Sequence, residues 1–491
     1  MSQKYVIACD LGTSGLKVVL VSMEGRILST VTENYGLFTN SLNHAEQVPD
    51  EYWDAACRGF RSVRGTEFRG EDCAGIAFGT QWKGIIPIDA QGRVLHNSII
   101  WMDKRASEEA AALNDAFGKT LFCEGDYWPK LAWLRKHKPE AYENSVMILE
   151  ANAFLKWKAT GKAVSDVTNC YTRAYSAQKQ AFYDDVLRYA GLDPEKFPPL
   201  CKSTDLVGEL TEEAAAQLDL PCGVPVFGGC CDIPALAIGS GCSSRGSAHA
   251  YLGTSGWLGC IAPHNPDEVY CPPLDPDNDV SFYGLGVSVG PSTQWLLDTF
   301  YSAEQQQYGK QIWDFINEEV GSTPPGAARL LAAPWFFGGR PPYSSGAARG
   351  VFINLGSKHT RAHMMRALLE SFCYIMRQNV ERLNAASGTP LDSLTVCGGG
   401  TSNPHWMQAM ADILQIDVKV PQETRSTGAI GVAYCALIGL GVVESFEKLQ
   451  EHVTIETVYH PRKEYAAEYD LLFRQFETLY GSLQTVFEAL N

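Results

Sequence analysis

The alternation of apolar and polar positions along the chain predicts short strands interleaved with amphipathic helices. Apolar runs bounded by turn residues predict strands, and apolar positions three or four residues apart predict helices. The predicted strands are residues 6–9, 16–22, 27–32, 73–78 and 394–397. The predicted helices are residues 50–64, 107–116, 130–136, 363–385, 404–414 and 464–490. Strands and helices that alternate in this way are typical of an α/β fold, in which helices cover the sheets.

One five-residue segment occurs twice. The sequence Leu-Gly-Thr-Ser-Gly at residues 11–15 recurs letter for letter at residues 252–256, and each copy follows residues suited to a strand. Two copies near the starts of two halves of similar length indicate duplication, and they predict two related domains facing a shared cleft. The turn-rich segment at residues 239–246 is the preferred boundary, which gives domains of residues 1–243 and 244–491.

Composition narrows the classes of protein that this chain can belong to. Its 491 residues are 45% hydrophobic and 20% charged, which is enough apolar surface for full cores and excludes a disordered chain. The formal net charge is −16, so nucleic acid and anionic membranes, which are themselves negative, would be repelled. We therefore expect a globular protein with neither nucleic-acid nor membrane partners.

The cysteines and the N-terminus predict a cytoplasmic location. The chain has 15 Cys but no Cys-x-x-Cys pair, so a zinc site or a redox motif has little support. The apolar stretch at residues 5–9 is far too short for an export signal. We expect reduced and mostly buried thiols.

One uncharged run, residues 426–443, is long enough for a membrane span to be considered. Small residues dominate it, including Gly428, Gly431 and Gly439, where lipid would be faced by large side chains. The run therefore predicts a buried helix that a neighbouring element approaches closely.

Residues 10–17, Asp-Leu-Gly-Thr-Ser-Gly-Leu-Lys, carry the donors that a phosphate group needs. Gly12 lets a ligand approach the backbone, the hydroxyls of Thr13 and Ser14 can donate, and Lys17 adds positive charge. Asp10 follows the predicted strand and is placed to hold Mg²⁺ through water, because hard oxygen ligands suit that ion. The alternative is an ordinary glycine hairpin turn with a surface lysine.

Three successive glycines, residues 398–400, lie between a predicted strand and a predicted helix. Without side chains they would form a floor on which a flat base or a ribose fits, and the following helix N-terminus favours negative charge. The alternative is a glycine turn that merely joins the strand to the helix.

Together with several further motifs, these elements resemble the FGGY family of carbohydrate kinases, and among its members the xylulokinases. The resemblance covers most of the chain. The further motifs are Trp-Met-Asp-Lys-Arg at residues 101–105, Pro-Lys-Leu at 129–131, Gly-Gly-Cys-Cys-Asp at 228–232, Gln-Trp-Leu at 294–296 and Arg-Gly-Val-Phe at 349–352. The fold that this implies is α/β, with two ribonuclease-H-like domains of the actin, Hsp70 and hexokinase ATPase type flanking a central cleft.

The resemblance also implies an ATP-dependent phosphotransferase that acts on a sugar hydroxyl and uses Mg²⁺. The first domain would bind sugar, and the second would bind nucleotide and end in a helical tail. Asp232 would be the catalytic base, because phosphoryl transfer needs a carboxylate that aligns and deprotonates the nucleophile, and Asp10 would act through Mg²⁺. The residues expected at ATP are Gly12, Thr13, Ser14, Lys17, Gly253, Thr254, Gly290, Gln294, Gly399, Gly400 and Asn403. Taken without the resemblance, Asp232 also suits the capping position of a helix that starts near Pro234.

On the sugar side the sequence departs from its relatives. Xylulokinases carry Gln-Met-His-Gly where this chain has Gln-Trp-Lys-Gly at residues 81–84, and Ile233 replaces the Asn or Gln that commonly follows the base. Trp82 offers a stacking platform, and Lys83 offers three donors and a charge. The residues expected at the sugar are Gln81, Trp82, Lys83, Asp103, Arg105 and Asp232.

Each of these sugar-side assignments has an alternative. Trp82 could belong to the core with Lys83 solvated, and Asp103 and Arg105 could form a surface ion pair of little energetic value. D-xylulose, phosphorylated to D-xylulose 5-phosphate, is the default substrate. One alternative is a kinase for another polyol, ketose or sugar acid, because Lys83 would suit an acidic or highly hydroxylated substrate. The other alternative is a non-catalytic regulator that binds sugar and ATP. By analogy with relatives, we expect a homodimer.

Overall fold

The structure, a computed structural model, describes residues 4–170, 172–174, 176–264, 271–339 and 346–491. The strands of the first half are β1 (Tyr5–Leu11), β2 (Gly15–Ser22), β3 (Ile27–Asn34), β4 (Phe38–Thr39), β5 (Ala45–Gln47), β6 (Cys73–Thr80), β7 (Ile86–Ile88), β8 (Ser98–Ile99), β9 (Met147–Leu149), β10 (Ser165–Asp166), β11 (Leu200–Cys201), β12 (Leu206–Glu209) and β13 (Pro225–Cys231). Its helices are α1 (Pro49–Arg64), α2 (Ser107–Phe117), α3 (Tyr127–His137), α4 (Pro139–Asn144), α5 (Ala151–Thr160), α6 (Ala177–Ala190), α7 (Glu212–Leu218) and α8 (Asp232–Gly239).

The second half continues the alternation of strands and helices. Its strands are β14 (Ala248–Leu252), β15 (Gly256–Pro263), β16 (Pro273–Asp275), β17 (Asn278–Gly284), β18 (Leu331–Ala333), β19 (Val351–Ile353), β20 (Ser393–Cys397), β21 (Asp417–Pro421) and β22 (Ile455–Tyr459). Its helices are α9 (Val289–Phe300), α10 (Ser302–Tyr308), α11 (Ile312–Ser322), α12 (Arg361–Ser387), α13 (Pro404–Leu414), α14 (Thr427–Gly439) and α15 (Ala466–Leu490). The predicted helices at 363–385, 404–414 and 464–490 correspond to α12, α13 and α15.

The chain divides into two compact units. Unit 1 comprises Met1–Ser243, Ala262–Val280 and Gly428–His452, and unit 2 comprises Ser244–Ile261, Ser281–Thr427 and Val453–Asn491. The first change from unit 1 to unit 2 follows Ser243, and two later segments of the chain return to unit 1.

Unit 1 is built on a six-stranded sheet with the order β12-β13-β6-β1-β2-β3. β1, β2 and β3 form an antiparallel meander, and β6 and β13 then extend the sheet in parallel with β1. Every residue of β1 except Asp10 is buried, as expected for a strand covered on both faces. Side chains of α1, α5 and α7 supply the cover, among them Tyr52, Phe60, Leu155 and Leu218.

Unit 2 repeats this arrangement of strands. Its sheet runs β17-β15-β14-β20-β21-β22, with β17 contributing from Ser281 onward. β14 and β15 are antiparallel, β20 and β21 extend the sheet in parallel with β14, and β22 closes the edge antiparallel, as β12 does in unit 1. The prediction of two related α/β domains is therefore confirmed at the level of strand order.

The uncharged run at residues 426–443 forms α14, which is buried as predicted. Residues of unit 1 pack against it, since Val432 lies against Gly79 and Tyr434 against Gly25. A Cβ on Gly431 would lie 1.9 Å from the carbonyl oxygen of Ala235, so only glycine allows this approach. In the described ranges, none of the helices has both the length and the apolar character that crossing a membrane would require.

Candidate active site

Three predicted site residues of unit 1 meet at one edge of its sheet. β1, β6 and β13 are parallel, and their carboxyl ends are in register through the pairs Leu11 with Thr80 and Cys231 with Thr80. Asp10, Gln81 and Asp232 therefore emerge side by side, although the chain separates them widely. Ligands of α/β proteins bind at this carboxyl edge, where loops leave the strands.

Asp232 is the first residue of α8, but its side chain does not act as a helix cap. The capping position is Cys231, and it makes no side-chain cap hydrogen bond. Asp232 Oδ1 is buried, and no hydrogen-bond partner for it occurs in the described part of the chain. Burial and the negative charge of Asp10 raise the pKa of Asp232 to about 7, while backbone N–H groups and Lys83 act in the opposite direction. A carboxylate with this pKa and a vacant acceptor is suited to general-base chemistry.

A buried polar network fixes the backbone that carries Asp232. The N–H of Cys231 donates to Thr168 Oγ1 at 2.7 Å, and the Thr168 hydroxyl donates to Asp166 Oδ1. The Thr168 N–H and the Asn169 side-chain amide also donate to Asp166. Sequence reasoning missed these residues, because 63 positions separate Thr168 from Cys231 and no periodic pattern links them.

Asp10 lies opposite Lys17 in the β1–β2 ladder, so the two side chains share one face of the sheet. Burial raises the pKa of Asp10, and the charge of Lys17 opposes that rise. A Cβ on Gly428 would lie 2.9 Å from Asp10 Oδ2, so this glycine leaves the carboxylate its space.

The first Gly-Thr-Ser loop is held by side chains from other parts of unit 1. Gln47 Nε2 donates to the carbonyl of Thr13 at 2.7 Å, and Gln81 Nε2 donates to Gln47 Oε1 at 2.6 Å. Trp101 Nε1 donates to the Thr13 hydroxyl at 3.1 Å, and Tyr35 donates to the carbonyl of Gly12. Gln81, predicted at the sugar, therefore also joins the sugar side of the edge to the loop.

The residues of this loop that are predicted to bind phosphate are exposed or partly exposed. Ser14 is exposed, and Gly12, Thr13 and Lys17 are partly exposed. A Cβ on Gly12 would meet only the Gly15 carbonyl at 3.7 Å, so space lies above it. This geometry suits a phosphate group that approaches backbone N–H groups and hydroxyls.

Trp82 and Lys83 follow β6 at the same edge. Trp82 is half-buried against the apolar cluster of α2, α3 and α6, and Lys83 Nζ lies 4.6 Å from the centre of its ring. Lys83 is not solvated, because Nζ lies 2.6 Å from Asp126 Oδ1 and its side chain is 19% exposed. The alternative of a solvated Lys83 is therefore wrong. Asp126, which precedes α3, was not predicted.

Asp103 and Arg105 form an ion pair inside unit 1. Both guanidinium contacts are short, with Arg105 Nε 2.8 Å from Asp103 Oδ1 and Nη2 2.7 Å from Oδ2. The N–H of Ala45 also donates to Asp103, and Glu46 binds Arg105 Nη1 at 2.8 Å. The side chains are 0% and 3% exposed, so the alternative of a weak surface pair is wrong. Through these contacts the pair connects residues 103–105 to residues 45–46.

Unit 2 brings its predicted residues to the corresponding edge of its own sheet. Gly253 and Thr254 follow β14, and the N–H of Gly290 donates to the carbonyls of both residues, at 3.1 and 3.2 Å. A Cβ on Gly290 would lie 3.1 Å from Thr254 Cα, so α9 begins in contact with the loop. Gln294 is exposed one turn further along α9 and donates to Asp298.

The glycine-rich segment follows β20, the strand beside β14. Gly399 is exposed, and a Cβ there would meet nothing within 4 Å, whereas a Cβ on Gly400 would clash with Trp406 at 2.6 Å. Gly399 thus suits a ligand floor, and Gly400 is required by packing. Asn403 caps α13 by accepting from the N–H of Trp406 at 2.9 Å, and its buried Nδ2 finds no acceptor in the described ranges.

Sequence reasoning missed one further residue of this edge, Thr424. Its carbonyl accepts from the N–H of Gly398 at 3.0 Å, and its hydroxyl accepts from Thr401 at 2.9 Å. Thr424 follows β21, the next parallel strand. The register of three parallel strands, rather than any local motif, would have been needed to find it.

For Mg²⁺, the edge of unit 1 offers carboxylates but no protein cage. In the described ranges there is no cluster of three or more His, Cys, Asp or Glu side chains that could hold a metal. Mg²⁺ is commonly held by one or two carboxylates together with phosphates and water. Asp10 fits that pattern, and the ion would offset phosphate charge there.

Two units of the same strand order, each with a glycine–hydroxyl loop at the carboxyl edge, define the class of two-domain actin-like ATPase folds. Solved structures agree over the full length. A gluconate kinase from Lactobacillus acidophilus superposes with a TM-score of 0.87 and 22% identity, covering 100% of both chains. A ligand-bound xylulose kinase from the same organism has a TM-score of 0.87 and 22% identity, covering 99% of this chain and 100% of the other.

The chain belongs to the FGGY family of carbohydrate kinases. The family's N-terminal domain model matches residues 5–239, and its C-terminal domain model matches residues 248–440. The xylulose kinase of Bacillus subtilis is 27% identical over 99% of both chains. The protein is therefore a phosphotransferase that acts on a sugar hydroxyl, as the sequence predicted.

Proposed function

We propose that this kinase transfers the γ-phosphate of ATP to a hydroxyl of D-xylulose, with Asp232 as the general base. The observation that carries this proposal is the Asp232 carboxylate, which has a buried acceptor oxygen and a pKa of about 7. It emerges beside Asp10 and the first phosphate-type loop. Full-length similarity to proteins named xylulose kinase supports the choice of sugar.

The roles of the chain's own residues follow from their geometry. Asp232 would accept the proton of the attacking hydroxyl, while the network of Thr168 and Asp166 holds its backbone in place. Trp82 would pack against one face of the sugar, and Gln81 would couple sugar and loop through Gln47. The buried pair of Asp103 and Arg105 would support this edge from behind.

For the nucleotide we propose two sets of residues, one in each unit. Gly12, Thr13, Ser14 and Lys17 would bind phosphate oxygens, because this loop is accessible and carries hydroxyls and a positive charge. The residues proposed to contact the nucleotide in unit 2 are Gly253, Thr254, Gly290, Gln294, Gly399 and Asn403, with Gly400 in a packing role. Mg²⁺ held through Asp10 and water would neutralise phosphate charge.

A coupled assay of ADP release tests the proposal. The purified protein is given ATP with D-xylulose, other ketoses, polyols and sugar acids, and the position of the new phosphate is assigned by NMR. D-xylulose should give the highest kcat/KM. Higher kcat/KM on another sugar would overturn the choice of substrate, and ATP binding without turnover on any sugar would favour a regulator.

A further inference from the structure

The ion pair between Lys83 and Asp126 is built into the fold at the sugar side of unit 1. Lys83 Nζ and Asp126 Oδ1 are 2.6 Å apart, and the side chains are 19% and 3% exposed. The other carboxylate oxygen of Asp126 accepts from the N–H of Cys123 at 2.7 Å. Both oxygens of this little-exposed carboxylate therefore have polar partners, as a buried acidic group requires.

The backbone of Lys83 is held as firmly as its side chain. Lys83 has a φ of 67°, in the left-handed region that is unusual for a residue other than glycine. The buried ammonium of Lys130 donates to the Lys83 carbonyl and to that of Ile100 at 3.1 Å. The position of the Lys83 side chain is therefore fixed at both ends.

Lys83 acts on the reacting edge. It lies two residues after Gln81 at the carboxyl end of β6, the strand between those that carry Asp10 and Asp232. Its charge is close enough to Asp232 to lower the pKa of that carboxyl group. A lysine in this position would attract an anionic substrate if its charge were not balanced.

The other cations described near Lys83 also have acidic or backbone partners. Arg105 is balanced by Asp103 and Glu46, and Lys130 is buried among backbone carbonyls with a pKa lowered to about 7. Asp10 and Asp232 add two further carboxyl groups at the same edge. A sugar acid would therefore bring its carboxylate towards cations that already have carboxylate partners, including Lys17 opposite Asp10.

We propose that Asp126 is a specificity-determining residue, which neutralises Lys83 and thereby selects an uncharged polyhydroxy sugar against a sugar acid. Lys83, whose side chain is still 19% exposed, keeps ammonium donors that suit a hydroxyl of a neutral sugar. This inference rests on the proposed function. It also explains why Lys83 is compatible with a neutral substrate.

The test compares D-xylulose with D-gluconate in four proteins: wild type, Asp126→Asn, Lys83→Met and the double variant. Asp126→Asn keeps the shape and the acceptor for the Cys123 N–H but removes the negative charge beside Lys83. The ratio of kcat/KM for gluconate to that for xylulose should rise at least about tenfold, since a charge-assisted contact becomes available. The double variant should return the ratio to near the wild-type value.

A matched control is Glu124→Gln, which removes a carboxylate two residues away that pairs with the exposed Lys104 at 3.8 Å. It should leave the ratio unchanged. If Asp126→Asn also leaves it unchanged while wild type still uses xylulose, the inference is wrong and the proposed function stands. If wild type uses no neutral sugar, the proposed function itself fails.

A second measurement needs no variant, in case Asp126→Asn does not fold. D-glucitol and D-gluconate, which differ chiefly in the terminal carboxylate, are compared as inhibitors of wild-type turnover of xylulose. Glucitol should inhibit at concentrations at least about tenfold lower than gluconate. Stronger inhibition by gluconate would overturn the proposal.

Discussion

The two copies of Leu-Gly-Thr-Ser-Gly have the same sequence, but the strand pairs that enclose them differ in register. In the first copy the last pair of the β1–β2 ladder joins Leu11 to Leu16, so four residues, 12–15, lie between the paired positions. In the second copy Leu252 pairs with Gly256, which leaves residues 253–255. The second ladder is thus shifted by one residue. Neighbours explain the shift, because Gly15 pairs with Asn34 of β3, whereas Gly256 packs against Leu285 and Val289.

The chemistry around the two loops differs more than their backbones do. Asp10 and Lys17 flank the first loop, and the matching positions of the second are Tyr251 and Leu258. Polar side chains hold the first loop, whereas the start of α9 and the Tyr251 ring support the second. Duplication has kept a strand order and a motif, while the charged groups suited to proton and phosphate chemistry are concentrated in unit 1.

The largest effect is expected for Asp232→Asn at the first edge. Transfer should fall at least about a hundredfold, the usual scale for loss of a general base, with nucleotide binding nearly intact. Turnover is measured by ADP release, and binding by calorimetry. The control is Asp115→Asn, a change at an exposed residue of α2. Near-full activity of Asp232→Asn would move the base elsewhere and weaken the contrast between the edges.

A second contrast concerns buried acids. Glu150 in unit 1 accepts from Ser165 at 2.9 Å, and burial raises its pKa to about 7, whereas Glu370 in unit 2 is bonded to Arg366 at 2.8 Å. Because the folded pKa of Glu150 exceeds its unfolded value, its stabilising effect is complete at acidic pH and is lost as pH rises towards 7.

We therefore expect Glu150→Gln to reduce the loss of unfolding free energy between pH 5 and pH 8 by about 2 kcal/mol. Urea unfolding of both proteins across this range measures the difference. Parallel curves for wild type and variant would contradict the assignment of Glu150 as a neutral buried acid at low pH.

A smaller effect is expected for Thr168, whose hydroxyl holds the backbone next to Asp232. Thr168→Val removes the acceptor for the Cys231 N–H and the hydroxyl that donates to Asp166, and it should lower kcat about tenfold because the backbone of Asp232 loses this buried support. Thr168→Ser keeps the hydroxyl and should restore most of the activity. If both variants lose kcat equally, packing of the methyl group rather than the hydrogen bond is what matters.

The smallest expected effect is a difference in stability between alanine variants of the two loops. A Cβ on Gly253 would lie 2.3 Å from the Tyr251 hydroxyl, whereas a Cβ on Gly12 meets only ordinary contact. Gly253→Ala should lower the free energy of unfolding by about 1 kcal/mol through this overpacking, and Gly12→Ala should leave it within about 0.5 kcal/mol. Thermal unfolding compares them. Equal destabilisation would mean that the loops are not sterically distinct.

Much of the fold could be predicted because local rules agree with it. The helix predicted at 404–414 is Pro404–Leu414, since a capping Asn403 and Pro404 mark its start. The strand predicted at 73–78 is Cys73–Thr80, which ends two residues later than predicted. The repeated loop indicates duplication, and the matching strand order of the two units agrees with it.

The partners of site residues could not be predicted in the same way. Asp126 occupies the position of a helix cap, and sequence reasoning would assign it to α3, yet its carboxylate binds Lys83, 43 positions away. Asp166, Thr168 and Thr424 likewise act across strands. Such contacts depend on strand order and side-chain direction, which no local pattern contains. The roles assigned to the site residues remain predictions.

The chain's repeated return to unit 1 has a practical consequence for dissecting the protein. A fragment that stops at Ser243 lacks Gly428–His452, and with it the helix that fills the space against Gly79 and Ala235. Such a fragment would expose the apolar surface that this helix normally covers, and it would aggregate. The complementary fragment would carry an apolar helix without the surface against which it packs. Co-expression of both pieces, rather than either alone, is the route by which a split form of this enzyme could reassemble.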